Sequence, residues 1–176
     1  YGTSSWITCH VPFKKTAVSS NLASLPSSIP GRYLVTNEQE SAGACLNWLR
    51  DNILFHDDEL RQAPPGDDVP QAFDRIAATA PAGSGGVIFT PWLYGERTPV
   101  EERTLRSSFF NQSLETTRAH LVRSVFEGIT YNSRWLFEAV ERFSGRRIGS
   151  VRIVGGGARS RLWCQMCADV LDREIL

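Results

Sequence analysis

Ser150-Val151-Arg152-Ile153-Val154-Gly155-Gly156-Gly157-Ala158-Arg159-Ser160 is the stretch on which the reading of this chain turns. Its first five residues carry the β-branched, apolar Val151, Ile153 and Val154 and predict a strand. From Ser160 to Asp172 apolar residues recur at helical spacing and predict a helix. Strand, glycine loop, helix is the layout that brings bare backbone N–H groups and a helix N-terminus up to a nucleotide phosphate or base. Glycine has no Cβ, so the backbone can approach a ligand closely there. The loop Gly155-Gly156-Gly157-Ala158 is therefore a candidate nucleotide contact.

A second loop stands at the other end of the chain. Gly2-Thr3-Ser4-Ser5 runs directly into Trp6-Ile7-Thr8-Cys9-His10-Val11, whose alternation predicts a strand. The turn offers N–H donors and hydroxyls in a small space, which suits a polyphosphate. Taken alone it reads as an ordinary hairpin turn. Two such loops, each at the edge of a strand, shift the reading to nucleotide binding, with Gly2, Thr3 and Ser4 as candidate phosphate donors.

The chain has 176 residues, 19 Lys and Arg against 19 Asp and Glu, and a formal net charge of zero. It is long enough for one domain with a core, and its neutrality supplies no electrostatic argument for nucleic acid or a membrane. No apolar run is long enough to span a bilayer and no signal peptide opens the chain. It begins with Tyr1, and its first residues already form a candidate functional loop, so a piece of a longer protein is expected. Cys9, Cys45, Cys164 and Cys167 are scattered, which points to a reducing, cytoplasmic compartment. Trp163-Cys164-Gln165-Met166-Cys167 imitates a redox motif, but Cys164 lies a turn inside its helix. Trp163, Cys167 and Leu171 form one stripe, and Leu162, Met166 and Val170 another, as expected of core packing. Zinc would need two further ligands, which the sequence does not pair with these cysteines.

Between the two loops, Gly31–Val35 reads as a strand and Glu38–Ile53 as a helix with Ala42, Cys45, Leu46 and Leu49 inward. Gly43 near that helix's start costs about 1 kcal/mol relative to alanine. Close packing on a strand and close approach to a ligand explain it equally well. Residues 54–71, with His56-Asp57-Asp58-Glu59 and Pro64-Pro65-Gly66-Asp67-Asp68, read as a solvated acidic loop. Pro70–Ala80 reads as a short helix with Phe73, Ile76 and Ala77 inward, and Val87–Thr90 as a strand buried on both faces. The Gly95-Glu96-Arg97-Thr98-Pro99 loop follows, with Glu96 and Arg97 expected to pair with each other. Thr116 or Thr117 caps the longest helix, which runs to about Phe143 and stops at Ser144-Gly145. Its core stripe is Val122, Val125, Ile129, Leu136, Val140 and Phe143, and His120 is a surface or capping residue.

With these pieces placed, the chain resembles the C-terminal domain of the FGGY carbohydrate kinases, and within that family most closely the xylulokinase branch. The matching residues are Gly2-Thr3-Ser4, Ser41-Ala42-Gly43-Ala44-Cys45-Leu46-Asn47-Trp48-Leu49, and Pro91-Trp92-Leu93-Tyr94-Gly95-Glu96-Arg97-Thr98-Pro99. His120-Leu121-Val122-Arg123-Ser124-Val125-Phe126-Glu127-Gly128 and Gly155-Gly156-Gly157-Ala158-Arg159-Ser160 complete the set. Their order and spacing agree with the family over nearly the whole chain. Two departures are visible: Asn111-Gln112 stands where the family usually has Gly-Leu, and Asn47 stands where glycerol kinases commonly carry glutamine.

The resemblance implies an α/β fold, a ribonuclease H-like (actin-like ATPase) lobe with a mixed β-sheet flanked by helices. It implies that residues 1–176 form the nucleotide-binding C-terminal domain of an ATP-dependent sugar kinase, truncated at both ends. ATP and Mg²⁺ would be its cofactors, bound by Gly2, Thr3, Ser4, Gly43, Asn47, Gly155, Gly156, Gly157 and Ala158. Its partners would be a sugar and the N-terminal lobe of the same kinase, and a homodimer is compatible with the family. The family's catalytic aspartate lies upstream of the Gly-Thr-Ser loop, so no catalytic residue is expected within this chain. Xylulose is the first-choice sugar, on the Gly95–Pro99 loop, with ribulose and glycerol as alternatives. The rival class is a non-catalytic, actin- or chaperone-like nucleotide-binding module. Such lobes usually place an aspartate in the phosphate turn, where this chain has Thr3, Ser4 and Ser5.

Overall fold

The computed structural model describes residues 1–61 and 63–176. Its spine is one helix, Arg118–Ser144, which at 27 residues spans about 40 Å. Thr117 caps it in a reciprocal box with His120, whose Nδ1 accepts the Thr117 N–H at 3.1 Å. Gly145 ends it in the left-handed region at φ 69°. Both ends agree with the sequence reading, as does the capping role of His120.

Four strands, β1 (His10–Val11), β2 (Thr16–Ala17), β3 (Leu22–Pro26) and β4 (Tyr33–Thr36), form an antiparallel sheet in the order β1-β4-β3-β2. The chain then forms α1 (Gly43–Trp48), which runs into a π-helical turn at Leu49–Leu54, and α2 (Val69–Ala78). Strands β5 (Ile88–Thr90) and β6 (Ser108–Phe110) pair antiparallel and precede the long helix, α3. Strand β7 (Ser150–Val151), α4 (Arg161–Leu171) and β8 (Glu174–Ile175) close the chain, with β7 and β8 parallel. The architecture is mixed α/β, with the strands among the described residues in three small sheets rather than one.

Two apolar clusters meet on α3. Its first five turns bury Val122, Val125, Phe126 and Ile129 against α1, α2, α4 and β5. Its last turns bury Leu136, Val140 and Phe143 against Val11, Leu22 and Val35 of the four-stranded sheet. The predicted core stripe is thus wholly buried. It serves two cores, because a helix this long outruns any single sheet beside it.

Several expectations need correction. The predicted strand at Trp6–Val11 is ladder-paired only at His10–Val11. Upstream, the Asn37 side chain takes both main-chain groups of Ile7 in place of a neighbouring strand. Residues 38–42 are not helical, because Gln39 exchanges main-chain bonds with Ser5 and the Ala42 N–H is held by the Thr3 carbonyl. The strand expected over Val87–Thr90 is buried on one face only. Phe89 is 1% exposed and Ile88 48%, since β5 has β6 as its one neighbour among the described residues. The expected strand at 150–154 shortens to β7, and the Val154 carbonyl accepts instead from the main-chain nitrogen of Tyr1 at 2.6 Å.

Helix α3 approaches β5 so closely that a Cβ on Gly128 would stand 2.1 Å from the Phe89 carbonyl oxygen. Gly128→Ala must therefore push the spine off the strand. It should cost about 3 kcal/mol, at the upper end of overpacking penalties. Gly149→Ala, with nothing within 4 Å, should stay within about 0.5 kcal/mol. Urea unfolding midpoints of the two variants compare them directly, and equal midpoints would contradict the packing account.

Candidate functional site

The segment Tyr1-Gly2-Thr3 lies between the start of α1 at Gly43 and the Gly155–Gly157 loop. On one side the Gly2 carbonyl accepts the Gly43 N–H at 2.8 Å, and the Thr3 carbonyl accepts from Ala42 and Ala44 at 2.8 and 3.1 Å. On the other side the Tyr1 carbonyl accepts the Gly157 N–H at 3.2 Å. The Tyr1 ring stacks on Trp163 of α4 with centroids 4.7 Å apart and planes 3° from parallel.

These contacts give each glycine a distinct task. A Cβ on Gly43 would meet the Gly2 oxygen at 2.4 Å, one on Gly155 the Tyr1 oxygen at 2.6 Å, and one on Gly157 the Tyr1 Cβ at 2.8 Å. Gly155 also sits at φ 94°, which L side chains rarely adopt. Gly156 alone of the four has nothing within 4 Å of its Cβ position. Gly43 therefore answers to close packing, with Gly2 rather than a strand as the neighbour.

Beside this junction opens a cleft of about 470 Å³, within the range usual for small-molecule sites. Gly2, Thr3, Gly43, Asn47, Gly156 and Gly157 line it on one side, and Val69, Phe73 and Asp74 of α2 on the other. Six of the nine residues named from the sequence thus come together. Ser4, Gly155 and Ala158 adjoin the cleft without lining it.

The polar equipment is uneven. The main-chain N–H groups of Thr3, Ser4 and Gly156 and the side chain of Asn47 make no hydrogen bond with other described residues, whereas the first N–H groups of α1 are consumed by the Gly2 and Thr3 carbonyls. Donors for a ligand come from the loops, not from that helix. The charged lining is balanced, with Arg50 and Arg159 against Asp67 and Asp74. Arg50 binds Asp51 through Nε at 2.6 Å and Nη2 at 2.9 Å, which holds the Asp51 carboxyl below the usual range. Asp74 accepts the Ser160 hydroxyl at 2.8 Å. Sequence reasoning missed the α2 wall, since Phe73 was assigned only an inward-facing position and Asp74 carried no motif.

The cysteines of the Trp163–Cys167 stretch sit on α4, as the core-packing reading expected. All four are free thiols, and Trp163 and Cys167 are buried as core. Burial pushes the Cys167 thiol up to about 11 and the Cys45 thiol up to about 12, far from the thiolate a redox pair requires. Among the described residues no group of three or more His, Cys, Asp or Glu side chains is placed to hold a metal ion.

The Gly95–Pro99 loop lies elsewhere, and the expected Glu96–Arg97 pair is not formed. Glu96, 2% exposed, accepts the Asn132 side-chain amide and the main-chain N–H groups of Arg97 and Glu40. Burial raises its pKa, and these hydrogen bonds partly offset the shift. The Arg97 guanidinium instead bridges Glu38 and Glu40 at 2.6 and 2.7 Å. A carboxylate so fully bonded anchors the loop to α3.

Comparison with known proteins agrees with this geometry. Residues 1–176 match the FGGY family of carbohydrate kinases, C-terminal domain. A xylulose kinase of Staphylococcus epidermidis is 34% identical over 162 residues, covering 91% of this chain and 30% of the relative. A gluconokinase of Bacillus subtilis is 30% identical over 145 residues, covering 82% of this chain and 28% of the relative. The crystal structure of a xylulose kinase from Rhodospirillum rubrum superposes with a TM-score of 0.82 at 28% identity, covering 99% of this chain and 33% of that one. The chain thus spans about a third of the length of the relatives it matches, and it has the ribonuclease H-like, actin-like ATPase fold of the FGGY kinases. By its match over the whole sequence, this chain belongs to the FGGY family of carbohydrate kinases.

Proposed function

We propose that residues 1–176 are the ATP-binding lobe of a cytoplasmic sugar kinase, which transfers the γ-phosphate to a hydroxyl of a pentulose, with xylulose the first choice. The observation that carries this reading is the junction of Gly2-Thr3 with Gly43 and Gly156-Gly157 at one cleft wall, which leaves the N–H groups of Thr3, Ser4 and Gly156 unengaged. Phosphoryl transfer is chiefly a matter of positioning and charge stabilisation, and preorganised backbone donors serve both. In this reading Thr3 and Ser4 hold phosphate oxygens, and Gly156 leaves room for the rest of the nucleotide.

Mg²⁺ arrives with the nucleotide, since in phosphotransferase sites phosphates and water supply most of its ligands. It would neutralise charge on the phosphates. A base for the sugar hydroxyl must come within hydrogen-bond reach of it. The buried carboxylates here are spoken for: Glu96 by Asn132, and Glu127 by Arg123, Ser84 and Gly83. The base and most of the sugar site are accordingly proposed to lie in a preceding lobe of the same kinase. Xylulose is favoured over gluconate by the higher identity of the xylulose kinase relative.

The decisive assay gives the full-length kinase ATP, Mg²⁺ and a panel of xylulose, ribulose, gluconate and glycerol, with ADP release as readout. Sugar-dependent turnover of roughly 1–100 per second is expected with xylulose. Turnover with gluconate alone would reassign the substrate, and ADP release indifferent to every sugar would favour the non-catalytic module.

Gly156→Val tests the nucleotide side separately. The side chain enters open space, so the variant should fold. Its KM for ATP should rise about tenfold or more, the equivalent of about 1.4 kcal/mol, while the KM for sugar stays near wild type. Equal effects on both substrates would remove this loop from the nucleotide site.

A further inference from the structure

Among the described residues, one side-chain hydrogen bond joins the two walls of the cleft. Asp74 projects from α2, half-buried, and its Oδ1 accepts the hydroxyl proton of Ser160 at 2.8 Å. Ser160 is the N-cap of α4, and its Oγ accepts the Trp163 N–H at 3.0 Å. Both Asp74 and Ser160 line the cleft, and Ser160 follows Gly155-Gly156-Gly157 after only two residues.

The chemistry of the hydroxyl makes this more than an incidental contact. A serine oxygen has one proton to donate and lone pairs to accept with. Committing the proton to Asp74 turns a lone pair toward Trp163 N–H, so the carboxylate orients the cap. Trp163 in turn carries the stacked Tyr1 ring, and its Nε1–H is held by Thr130 of α3 at 3.0 Å. Through Ser160 the position of α2 is thereby tied to the register of the glycine loop and of the Tyr1–Thr3 segment.

We infer that Asp74 is a positioning residue of the cleft, setting the separation between α2 and the Gly156 loop through Ser160. The inference rests on the nucleotide reading of that cleft. It differs from a general structural role because the bond joins two residues that line the cleft: its loss alters the site for the nucleotide and leaves a sugar held elsewhere untouched.

The test is steady-state kinetics of the full-length kinase carrying Asp74→Ala, Asp74→Asn, Ser160→Ala and the double alanine variant. Asp74→Ala should raise KM for ATP about tenfold, one well-placed hydrogen bond's worth, with kcat and the KM for sugar within about twofold. Asparagine keeps an acceptor oxygen in the same place, so Asp74→Asn should restore KM to within about twofold of wild type. Ser160→Ala also removes the cap of α4, so it should be at least as impaired as Asp74→Ala, and the double variant should be no worse than Ser160→Ala, as expected when Asp74 acts only through Ser160.

Asp74→Asn as impaired as Asp74→Ala would overturn the inference, because the negative charge itself would then matter. So would Asp74→Ala with unchanged KM for ATP, or alanine effects that multiply. Calorimetry of the wild-type kinase with ADP separates the two levels. Binding of ADP combined with an unresponsive Asp74→Ala sinks this inference alone, and no ADP binding at all sinks the nucleotide reading and the inference together.

Discussion

Everything in the candidate site depends on how closely the backbone of Tyr1-Gly2-Thr3 passes between two glycine-bearing turns. On one side Gly43 would place a Cβ 2.4 Å from the Gly2 oxygen. On the other, Gly155 would place one 2.6 Å from the Tyr1 oxygen. Side chains at either position would force the segment outward, and the carbonyl-to-amide bonds that hold it would be lost with the contact. The clamp is polar as well as steric: the carbonyls of Tyr1, Gly2 and Thr3 all find donors from the two turns. Satisfying those carbonyls inward leaves the Thr3 and Ser4 N–H groups unengaged by the described residues, which is the feature on which the proposed phosphate contact rests.

The clamp in turn needs a fixed frame, and α3 supplies it. Trp163, which stacks on Tyr1, packs edge-on against Phe126 of α3 with centroids 5.1 Å apart and hydrogen-bonds Thr130. Gly128 draws β5 against the same helix. One turn further on, the Asn132 side chain donates to Glu96 and accepts from Trp92 at 3.2 Å, and its carbonyl accepts from Gln39 at 2.7 Å. Buried polar groups of this kind stabilise only when satisfied, and Glu96 has a donor on each oxygen. The helix therefore fixes the glycine loop, the Tyr1 ring and the Glu96 loop in one register, so that loops without regular structure of their own still hold defined positions.

Much of this was legible in the sequence, for reasons that differ by element. Helix α3 could be read from Thr117 to Gly145 because its signals are local: a cap, a stripe at helical period and a glycine stop. The same holds for α4, where Ser160 and the Trp163, Cys167 and Leu171 stripe mark both the start and the buried face. The pairing of the two glycine loops was inferred from their chemistry, whereas their contact through Tyr1 is a tertiary fact that spacing does not encode. The hairpin of β2 and β3 escaped notice because β2, at two residues, is too short to show a period, although Asn21, at φ 50°, is the kind of residue such turns favour. The missing strands at Trp6–Ile7 and Arg152–Val154 share one cause: other main-chain or side-chain groups took the bonds a neighbouring strand would have made. Asp74 lay beyond sequence reading for the same reason, since its partner stands 86 positions away.

The central claim is that the clamped Tyr1–Thr3 segment, the start of α1 and the Gly156 loop form one nucleotide-binding surface. Hydrogen–deuterium exchange of the full-length kinase, with and without ADP, tests it most directly by mass spectrometry of peptides covering residues 1–5, 43–50 and 155–160. The account predicts that ADP slows exchange in all three together, because one ligand covers donors from each. Protection confined to other parts of the chain, with these three unchanged while ADP is bound, would contradict it.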